Sequence, residues 1–407
     1  MRLPLPFLLL AAACSTGARP SSAPAAAASG DPIWLVELRA HRAADPADQG
    51  AAYLDAYLAA ESGDAERALL LLDGLESGGW PYPVPESDFP KLASQPRFRA
   101  LSERLSARVW RGDAAPRAFT VGPADFLPEG IACDPRSGAV FLGSRKYRKI
   151  VRVDGTVVRD FVEPRPDLGA VLGLHVDSQR RLLWAAHNPR GKAEREAGEP
   201  RPGVISVDLD SGAVVRAAVL DGRHLLNDVA IAEGGDVYVT DSEPGALWRI
   251  RAGGAALERI AADGTFFYPN GVVWLEERQA LLVADVTGLH YYEPSSGARR
   301  RVARGPAKTL GAVDGLVRHR DQLVAVQNGY RGERIVSWRF DSQRLAVTAE
   351  TVLQPWHPSF VVPTTACVRE GELLFISNSY AGQSDADGNP KDPARLRPTD
   401  VLAIPLP

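Results

Sequence analysis

Four polar residues stand at matching places in four similar stretches of the sequence, and their side chains are of a kind that can bind a metal ion. The four are Glu129, Asn227, Asn270 and Asp314. Two carboxylates that share a site inside a protein repel each other, so one must take up a proton unless a cation lies between them. Carboxylate and amide oxygens together suit a hard cation. We therefore expect calcium or another divalent cation at this set.

The alternative is that these residues only form turns. Asn270 belongs to an Asn-Gly pair, which is typical of a tight hairpin turn. Turn formation does not account for Glu129, which is a poor turn residue, or for the common place of all four. Because no cysteine or histidine belongs to the set, we do not expect zinc.

The elements that would position these residues belong to a repeat that starts six times. We call the first residues of these repeats the start residues: Glu129, Leu172, Asn227, Asn270, Asp314 and Thr364. Successive start residues are 43, 55, 43, 44 and 50 residues apart. Each is followed by a second and a third strand-like run, and in the first five repeats by a fourth. Four strands in a repeat of this length are typical of a propeller blade.

We therefore predict an all-β six-bladed β-propeller over residues 117–407, preceded by a small α-helical segment. The sixth repeat has only three strands, whereas RAFTVG (Arg117–Gly122) is a strand without a repeat of its own. We predict that this strand joins the last blade and closes the ring, which leaves no long exposed edge. First strands line the central channel of a propeller, so the four polar side chains should point into one volume.

Residues 46–112 have a helical period of apolar residues, with a break at Ser62-Gly63-Asp64. Asp64 can cap the helix that follows. The segment resembles one tetratricopeptide-type helix pair, which is fewer repeats than such arrays need to stand alone. Two interpretations stay open: a helical spacer packed on the propeller, and a segment that binds a protein partner.

The sequence begins with MRLPLPFLLLAAAC, in which one Arg precedes a short apolar run and three Ala precede Cys14. Residues 1–13 read as a signal peptide. The Ala-Cys junction resembles that of bacterial lipoproteins, which implies acylation of Cys14 and a membrane anchor made of lipid alone. Ser15 after the cysteine favours the outer membrane, facing the periplasm. An ordinary signal peptide with an incidental cysteine is the alternative. Residues 14–45 are predicted to be a flexible tether.

The composition indicates a globular protein without a nucleic-acid surface. The 407 residues are 45% hydrophobic and 24% charged, with a net charge of −3. Outside the leader, two cysteines remain, Cys133 and Cys367. They follow the start residues of blades one and six, which are neighbours in a closed ring. The two thiols either face each other or both face away, so the sequence leaves a disulfide open.

Four motifs carry a family resemblance: LPEGIACD, LLNDVAIAEGGDVYVTD, YPNGVVW and AVDGLV. Together and in this order they resemble the regucalcin/gluconolactonase (senescence marker protein-like) family, with paraoxonase and diisopropyl fluorophosphatase as more distant relatives. The resemblance implies a six-bladed propeller with calcium in the channel, held by Glu129, Asn227, Asn270 and Asp314. It also implies hydrolysis of lactones or related esters, with Asp314 as general base or nucleophile.

The resemblance is incomplete in blade two. Leu172 stands where paraoxonase-like enzymes have a histidine, so their histidine dyad cannot be complete here. His187 is at the place of the other histidine of that dyad, and it is either a proton shuttle or substrate contact, or an ordinary histidine of the channel rim. Two functions follow as hypotheses: a calcium-dependent hydrolase that uses Asp314, Asn227 and His187 on a small-molecule substrate, and a propeller that binds a ligand or protein without chemistry.

Overall fold

The computed structural model describes residues 33–108, 113–189, 198–329, 333–385 and 389–407. It confirms the predicted fold, a six-bladed β-propeller preceded by a small helical segment. The described helices are α1 (Ile33–Ala44), α2 (Gln49–Ser62), α3 (Ala65–Ser77) and α4 (Pro96–Ala107). None of them combines the length and the hydrophobicity that a bilayer crossing requires. The predicted signal peptide and Cys14 lie outside the described residues.

Helix α1 corrects part of the tether predicted for residues 14–45. Residues 33–44 are helical, and Leu38 is buried in the core of the helical segment. The last turn carries Arg42, whose positive charge suits the C-terminal end of a helix. Its guanidinium donates to the carbonyl of Pro46 at 2.7 Å. The small and polar composition that suggested a tether ends before this stretch.

The predicted break between the next two helices is confirmed. Helix α2 ends at Gly63, which has a φ of 91° that favours glycine. Helix α3 begins after Asp64, whose carboxylate accepts a hydrogen bond from the backbone N–H of Arg67 at 3.1 Å. Asp48 caps α2 in the same way through the backbone N–H of Ala51.

The propeller is built of six four-stranded antiparallel sheets. Blade 1 contains β2 (Pro128–Cys133), β3 (Val140–Ser144), β4 (Lys149–Asp154) and β5 (Val157–Val162). Blade 2 contains β6 (Ala170–Asp177), β7 (Leu182–Asn188), β8 (Gly203–Asp208) and β9 (Val214–Val219). Blade 3 contains β10 (Leu226–Ile231), β11 (Val237–Asp241), β12 (Ala246–Ile250) and β13 (Glu258–Ala261).

The remaining blades follow the same order from the channel outwards. Blade 4 contains β14 (Val272–Leu275), β15 (Ala280–Asp285), β16 (Gly288–Glu293) and β17 (Ala298–Arg301). Blade 5 contains β18 (Val313–His319), β19 (Gln322–Gln327), β20 (Arg334–Asp341) and β21 (Ala346–Gln354). Blade 6 contains β22 (Ala366–Arg369), β23 (Glu372–Ile376) and β24 (Thr399–Pro405), with β1 (Arg117–Val121) as its outer strand.

Two features close the ring. Strand β1 pairs with β24, with Thr120 opposite Asp400, which confirms the predicted role of the spare strand. Cys133 of blade 1 and Cys367 of blade 6 form a disulfide with their Cα atoms 5.7 Å apart. The structure thus settles the pairing that the sequence left open, because the two thiols face each other.

The first strands of four neighbouring pairs of blades approach each other at a glycine that follows a start residue. A Cβ at Gly130, Gly173, Gly271 or Gly315 would lie 2.0, 2.3, 2.6 or 2.7 Å from the carbonyl oxygen of the next blade's start residue. Contacts this short exclude a side chain at these positions without movement of the backbone. The glycines therefore allow the first strands of neighbouring blades to approach each other closely.

In blades 3 and 6 the residue after the start residue is not glycine, and its side chain hydrogen-bonds to the next blade. The Asp228 carboxylate of blade 3 accepts a hydrogen bond from the backbone N–H of Val272 in blade 4 at 3.2 Å. The Thr365 hydroxyl of blade 6 donates to the carbonyl of Glu129 in blade 1 at 2.6 Å. All six first strands are thus joined in one ring.

The helical segment packs on one face of blades 4 and 5. Its core includes Val286 and Ala312 of the propeller, and Phe267 and Tyr268 pack against it. Each of these residues is next to the start of a first strand or the end of a second strand. These two strand ends lie on the face of the propeller that carries the start residues, so the helices lie beside the mouth of the channel.

Candidate active site

Bulges in the first strands position most of the start residues. The pairing between first and second strand slips in four blades, between Pro128 and Ile131, Val171 and Leu174, Leu226 and Val229, and Val313 and Leu316. Each slip contains a start residue and the residue after it. A bulge turns a side chain out of the regular alternation of a strand. Asn270 and Thr364 stand two residues before the first strands of their blades.

The chain enters four of these positions through a strained turn. The residue two places before the start residue has a positive φ in blades 1, 4, 5 and 6: Leu127 (48°), Tyr268 (56°), Ala312 (59°) and Val362 (58°). A non-glycine residue in this region costs about 1–3 kcal/mol. The same conformation in four blades indicates that it serves to place the start residue.

Side chains at the end of the second strands hold these turns. Each binds a backbone group two or three residues before the start residue of its own blade. The pairs are Ser144 with Phe126 O, His187 with Gly169 N, Asp241 with Leu225 N, Asp285 with Phe267 N, and Gln327 with Gly311 O. The start residues are therefore supported by buried polar contacts behind them.

The carboxyl group of Asp314 is perturbed by burial, by charge and by hydrogen bonds. It is hydrogen-bonded to the side chains of Asn270 and Asn328. Asn328 also donates to the carbonyl of Pro363 at 2.8 Å, which fixes the orientation of its amide. Burial raises the pKa of Asp314 well above its usual range and the charge of Glu129 raises it further, while the two amide hydrogen bonds lower it.

Glu129 shares this volume and has a guanidinium beside it. Arg145 Nε lies 2.8 Å from Glu129 Oε2, and both side chains are 13% exposed. The two atoms are not aligned as donor and acceptor, and within the described residues neither has a hydrogen-bond partner. Burial raises the pKa of Glu129, and the charge of Arg145 opposes that shift.

The side-chain amide of Asn227 uses its nitrogen in a hydrogen bond within the protein. Its Nδ2 lies 2.9 Å from Ser242 Oγ, and the Ser242 hydroxyl donates to the carbonyl of Pro269 at 2.6 Å. Since the single hydroxyl proton is used on Pro269, Ser242 must accept from Asn227. Asn227 is thereby linked to the residue before Asn270, and its Oδ1 is left for another ligand.

These four residues fit a hard divalent cation. They supply carboxylate and amide oxygens, which is the donor set that calcium takes. Oε2 of Glu129 is a buried carboxylate oxygen without a hydrogen-bond donor among the described residues. Burial and the charge of Glu129 both raise the pKa of Asp314. A cation would give Oε2 a partner and would favour the ionised form of Asp314. Arg145 is the feature that a simple cation site does not require.

Asp228 is a third buried carboxyl group near the same place. Burial raises its pKa to about 7, although the backbone N–H groups of Val229 and Val272 bind its ionised form. Its charge also raises the pKa of Asp314. Asp228 therefore has a structural part in joining blades 3 and 4, and an electrostatic effect on the channel.

His187 is buried and faces the entry turn of blade 2. Its Nδ1 accepts from the backbone N–H of Gly169 at 3.3 Å, as the equivalent residues of other blades bind their own turns. Burial lowers the pKa of His187 to about 4, so the imidazole is neutral near pH 7. None of its described contacts joins it to the four oxygen ligands, and its catalytic role stays a prediction.

One side of the channel mouth is apolar. Leu172 is a buried start residue and packs with Ala170 and Leu225, and Tyr268 covers this cluster. Tyr268 also packs against the helical segment. The helices therefore support a residue that forms part of the wall of the channel mouth.

A separate group of polar residues lies between the helices and the propeller. His41, Asp45 and Asp48 line a cavity of about 350 Å³ together with Arg304. Their side chains already have partners: His41 Nε2 lies 2.8 Å from Asp48 Oδ2, and Arg304 binds both oxygens of Asp45. This group serves as a contact between the segments, and the channel is the better candidate.

Two residues of the site carry no signal in the repeat pattern. Arg145 comes from the loop between β3 and β4, and Asn328 follows the second strand of blade 5. Neither occupies the place of a start residue. A search for polar residues just after each second strand, at the same end of the blade as the start residues, would have found both.

No family model and no curated protein matches the sequence. Among solved structures, a gluconolactonase from Xanthomonas campestris matches with 17% identity and a TM-score of 0.48, over 73% of this chain and 99% of that one. A streptogramin B lyase matches with 14% identity and a TM-score of 0.47, over 71% and 86% of the two chains. An aldose sugar dehydrogenase from Streptomyces coelicolor, in a form with bound PQQ, matches with 14% identity and a TM-score of 0.46, over 72% and 98%. At these identities the likeness concerns the arrangement of strands alone.

Proposed function

We propose that the channel is the active site of a calcium-dependent hydrolase that acts on a lactone or a related small ester. One observation carries the proposal. The carboxyl groups of Glu129 and Asp314 come from different blades into one buried volume, where the charge of Glu129 adds to burial in raising the pKa of Asp314. Amide groups from two further blades complete an all-oxygen set.

The residues of the chain divide the chemistry between them. Glu129, Asn227, Asn270 and Asp314 would hold the cation, which when bound polarises the substrate carbonyl as a Lewis acid. Asp314 then takes a proton from the attacking water and returns it to the departing alkoxide as the acyl–oxygen bond breaks. Asn328 keeps the Asp314 carboxylate in place.

The apolar wall bears on the choice of substrate. Leu172 and Leu225 are buried and Tyr268 is partly buried, so this side offers no charge to a ligand. We expect it to receive hydrocarbon and to exclude water from the acyl group. Substrates with an apolar face should be preferred to lactones whose whole ring carries hydroxyl groups.

The test is a panel of sugar lactones, alkyl lactones and aryl esters, assayed with calcium and with chelator. We expect turnover of a lactone that chelator removes and calcium restores. Asp314→Asn keeps the shape of the side chain and should lower kcat/KM by about 10²–10⁴-fold. Asp321→Asn, at an exposed turn of the same blade, is the matched control and should match wild type.

Two results decide between hydrolysis and binding without chemistry. Calcium-dependent binding of the same compounds without turnover would favour the non-catalytic propeller. If wild type melts at the same temperature in millimolar calcium and in chelator, no cation binds the folded state and the four residues only form turns. A bound cation should stabilise by about 2.7 kcal/mol at a hundredfold excess over Kd.

We also propose that the protein is exported and anchored through acylated Cys14, at the outer membrane facing the periplasm. The support is the apolar run and the Ala-Cys junction of the leader. Cys14→Ser removes the acylation site, so the variant should leave the membrane fraction. Membrane fractionation equal to that of wild type would contradict the proposal.

A further inference from the structure

Arg145 is the feature of the channel that a cation site alone does not explain. It follows the last residue of β3, and its side chain turns into the channel, where it is only 13% exposed. Two groups hold it there. Its Nη2 donates to the carbonyl of Ser379 in blade 6 at 2.7 Å, and its Nε lies 2.8 Å from Glu129 Oε2.

The contact with Glu129 rests on charge and can be exchanged. Nε and Oε2 lie at an ion-pairing distance, yet within the described residues neither atom has a hydrogen-bond partner. An aligned and bidentate pair would be far more specific. The guanidinium keeps its anchor on Ser379 if Glu129 is occupied by another cation.

A divalent cation at Glu129 would leave Arg145 without its partner. The cation and the guanidinium would be attracted to the same carboxylate, and Glu129 Oε2 is the oxygen that faces Arg145 Nε. In the described part of the chain Arg145 forms an ion pair with no other carboxylate. A buried charge is unfavourable without a partner, so the guanidinium would then attract another anion.

We propose that Arg145 is the substrate-anchoring residue of the channel and that the substrate is a lactone or small ester which carries a carboxylate besides the bond to be cleaved. The guanidinium passes from Glu129 to this carboxylate when the cation binds. Its planar, permanently charged fork matches a carboxylate. The inference rests on the proposed function, whose substrate class it makes specific.

The experiment compares two probes of equal size, cyclopentanecarboxylate and the neutral cyclopentanecarboxamide, bound to the full chain in calcium. Saturation-transfer NMR titrations give both affinities. We expect wild type to bind the carboxylate at least tenfold more tightly than the amide. In Arg145→Gln this preference should fall to about onefold, while calcium affinity by titration calorimetry stays equal or rises, since a positive charge has left the site.

Lys146→Gln is the matched control. Lys146 is the next residue of the same loop and pairs with Asp125 outside the channel, so this variant loses the same charge and should keep the preference of wild type. Arg145→Lys retains the charge, and should retain a preference for the carboxylate even if the glutamine variant does not fold. Equal binding of the two probes to wild type, or an unchanged preference in folded Arg145→Gln, would overturn the proposal.

The outcomes separate this inference from the proposed function. In one outcome, wild type hydrolyses neutral and carboxylate-bearing lactones at equal rates in calcium, and Arg145→Gln has no effect. This outcome would support the proposed function and overturn the role of Arg145. A carboxylate preference that depends on Arg145 in a protein that turns over no lactone or ester would support the anchoring role and contradict the hydrolase.

Discussion

Replacing Gly271 with alanine tests whether the close approach of blades 4 and 5 sets the position of Asp314. An alanine Cβ at this position would lie 2.6 Å from the carbonyl oxygen of Asp314 and 2.7 Å from the backbone nitrogen of Leu316. An ordinary contact needs about 3.4 Å, so the two first strands must separate by roughly 0.8 Å. Both obstacles are backbone atoms, which cannot turn aside as a side chain can.

The size of the effect follows from two opposing contributions. Overpacking in a close-packed region costs about 1–3 kcal/mol of the free energy of unfolding. Alanine restricts the unfolded chain and returns about 0.4–1 kcal/mol. We expect Gly271→Ala to be less stable than wild type by roughly 1–2 kcal/mol. A shift of this size also exceeds the tolerance of about 0.5 Å for a binding constellation, so calcium affinity should fall.

Urea unfolding followed by tryptophan fluorescence gives the first quantity, and titration calorimetry with calcium gives the second. Gly74→Ala is the control, because a Cβ at this position in α3 would meet no atom within 4 Å. It should gain up to about 1 kcal/mol from helix propensity and leave calcium binding unchanged. A Gly271→Ala protein with wild-type stability and calcium affinity would show that the glycine contact does not set the channel, and would refute the reasoning.

Three further predictions concern residues around the channel. Burial alone would raise the pKa of Asp285, but the charge and hydrogen bonds of its partners lower the pKa. Ionised Asp285 therefore stabilises the folded state above about pH 4, and this contribution is lost as the pH falls. Asp285→Asn should lose about 2 kcal/mol or more at pH 7, with a deficit that shrinks in acid unfolding curves. Removing the disulfide by Cys133→Ser should lower stability by about 2–5 kcal/mol in urea, and equal curves for wild type with and without reductant would contradict this. His187→Asn should lower the melting temperature through loss of the Gly169 contact; a fall in kcat without a change in melting would instead support the proton-shuttle hypothesis.

The sequence predicts the blades well because each blade is a local unit. Four strands joined by short turns repeat their apolar pattern, and the start residues keep one register within it. The places of Glu129 and Asp314 could therefore be predicted from spacing alone. The bulges and the left-handed turns that aim these side chains were not predicted, since residues such as Leu127 and Tyr268 are unusual in that conformation.

Other parts of the site depend on contacts that no repeat encodes. Arg145 reaches Glu129 from a loop, and the helical segment meets blades 4 and 5 through residues far apart in the sequence, such as Tyr82, whose hydroxyl donates to Gln327 at 2.8 Å. Helix α1 was missed for a different reason. The small and polar residues before this helix are typical of a tether, and the prediction extended the tether too far. Leu38 of the helix packs in the core that the following helices form.

Closure of the ring has a consequence for the order in which the protein folds. The contact between Thr120 and Asp400 spans 280 residues, whereas contacts inside blades 1 to 5 span a few tens. Bringing such distant segments together from an open chain costs about 0.6 kcal/mol for each doubling of the loop. Once five blades have stacked, however, β1 and β24 are already neighbours and most of this cost is gone.

Blade 6 should therefore form last, after β24 has left the ribosome or the export channel. Until then blades 1 and 5 present bare sheet faces and β1 is a strand without a partner, which is the kind of surface that recruits other chains. The disulfide between Cys133 and Cys367 can form only when both flanks of this gap have met. Because blade 6 and the disulfide form last, the refolding yield should depend on the protein concentration and on the oxidant, even where the folded propeller is stable.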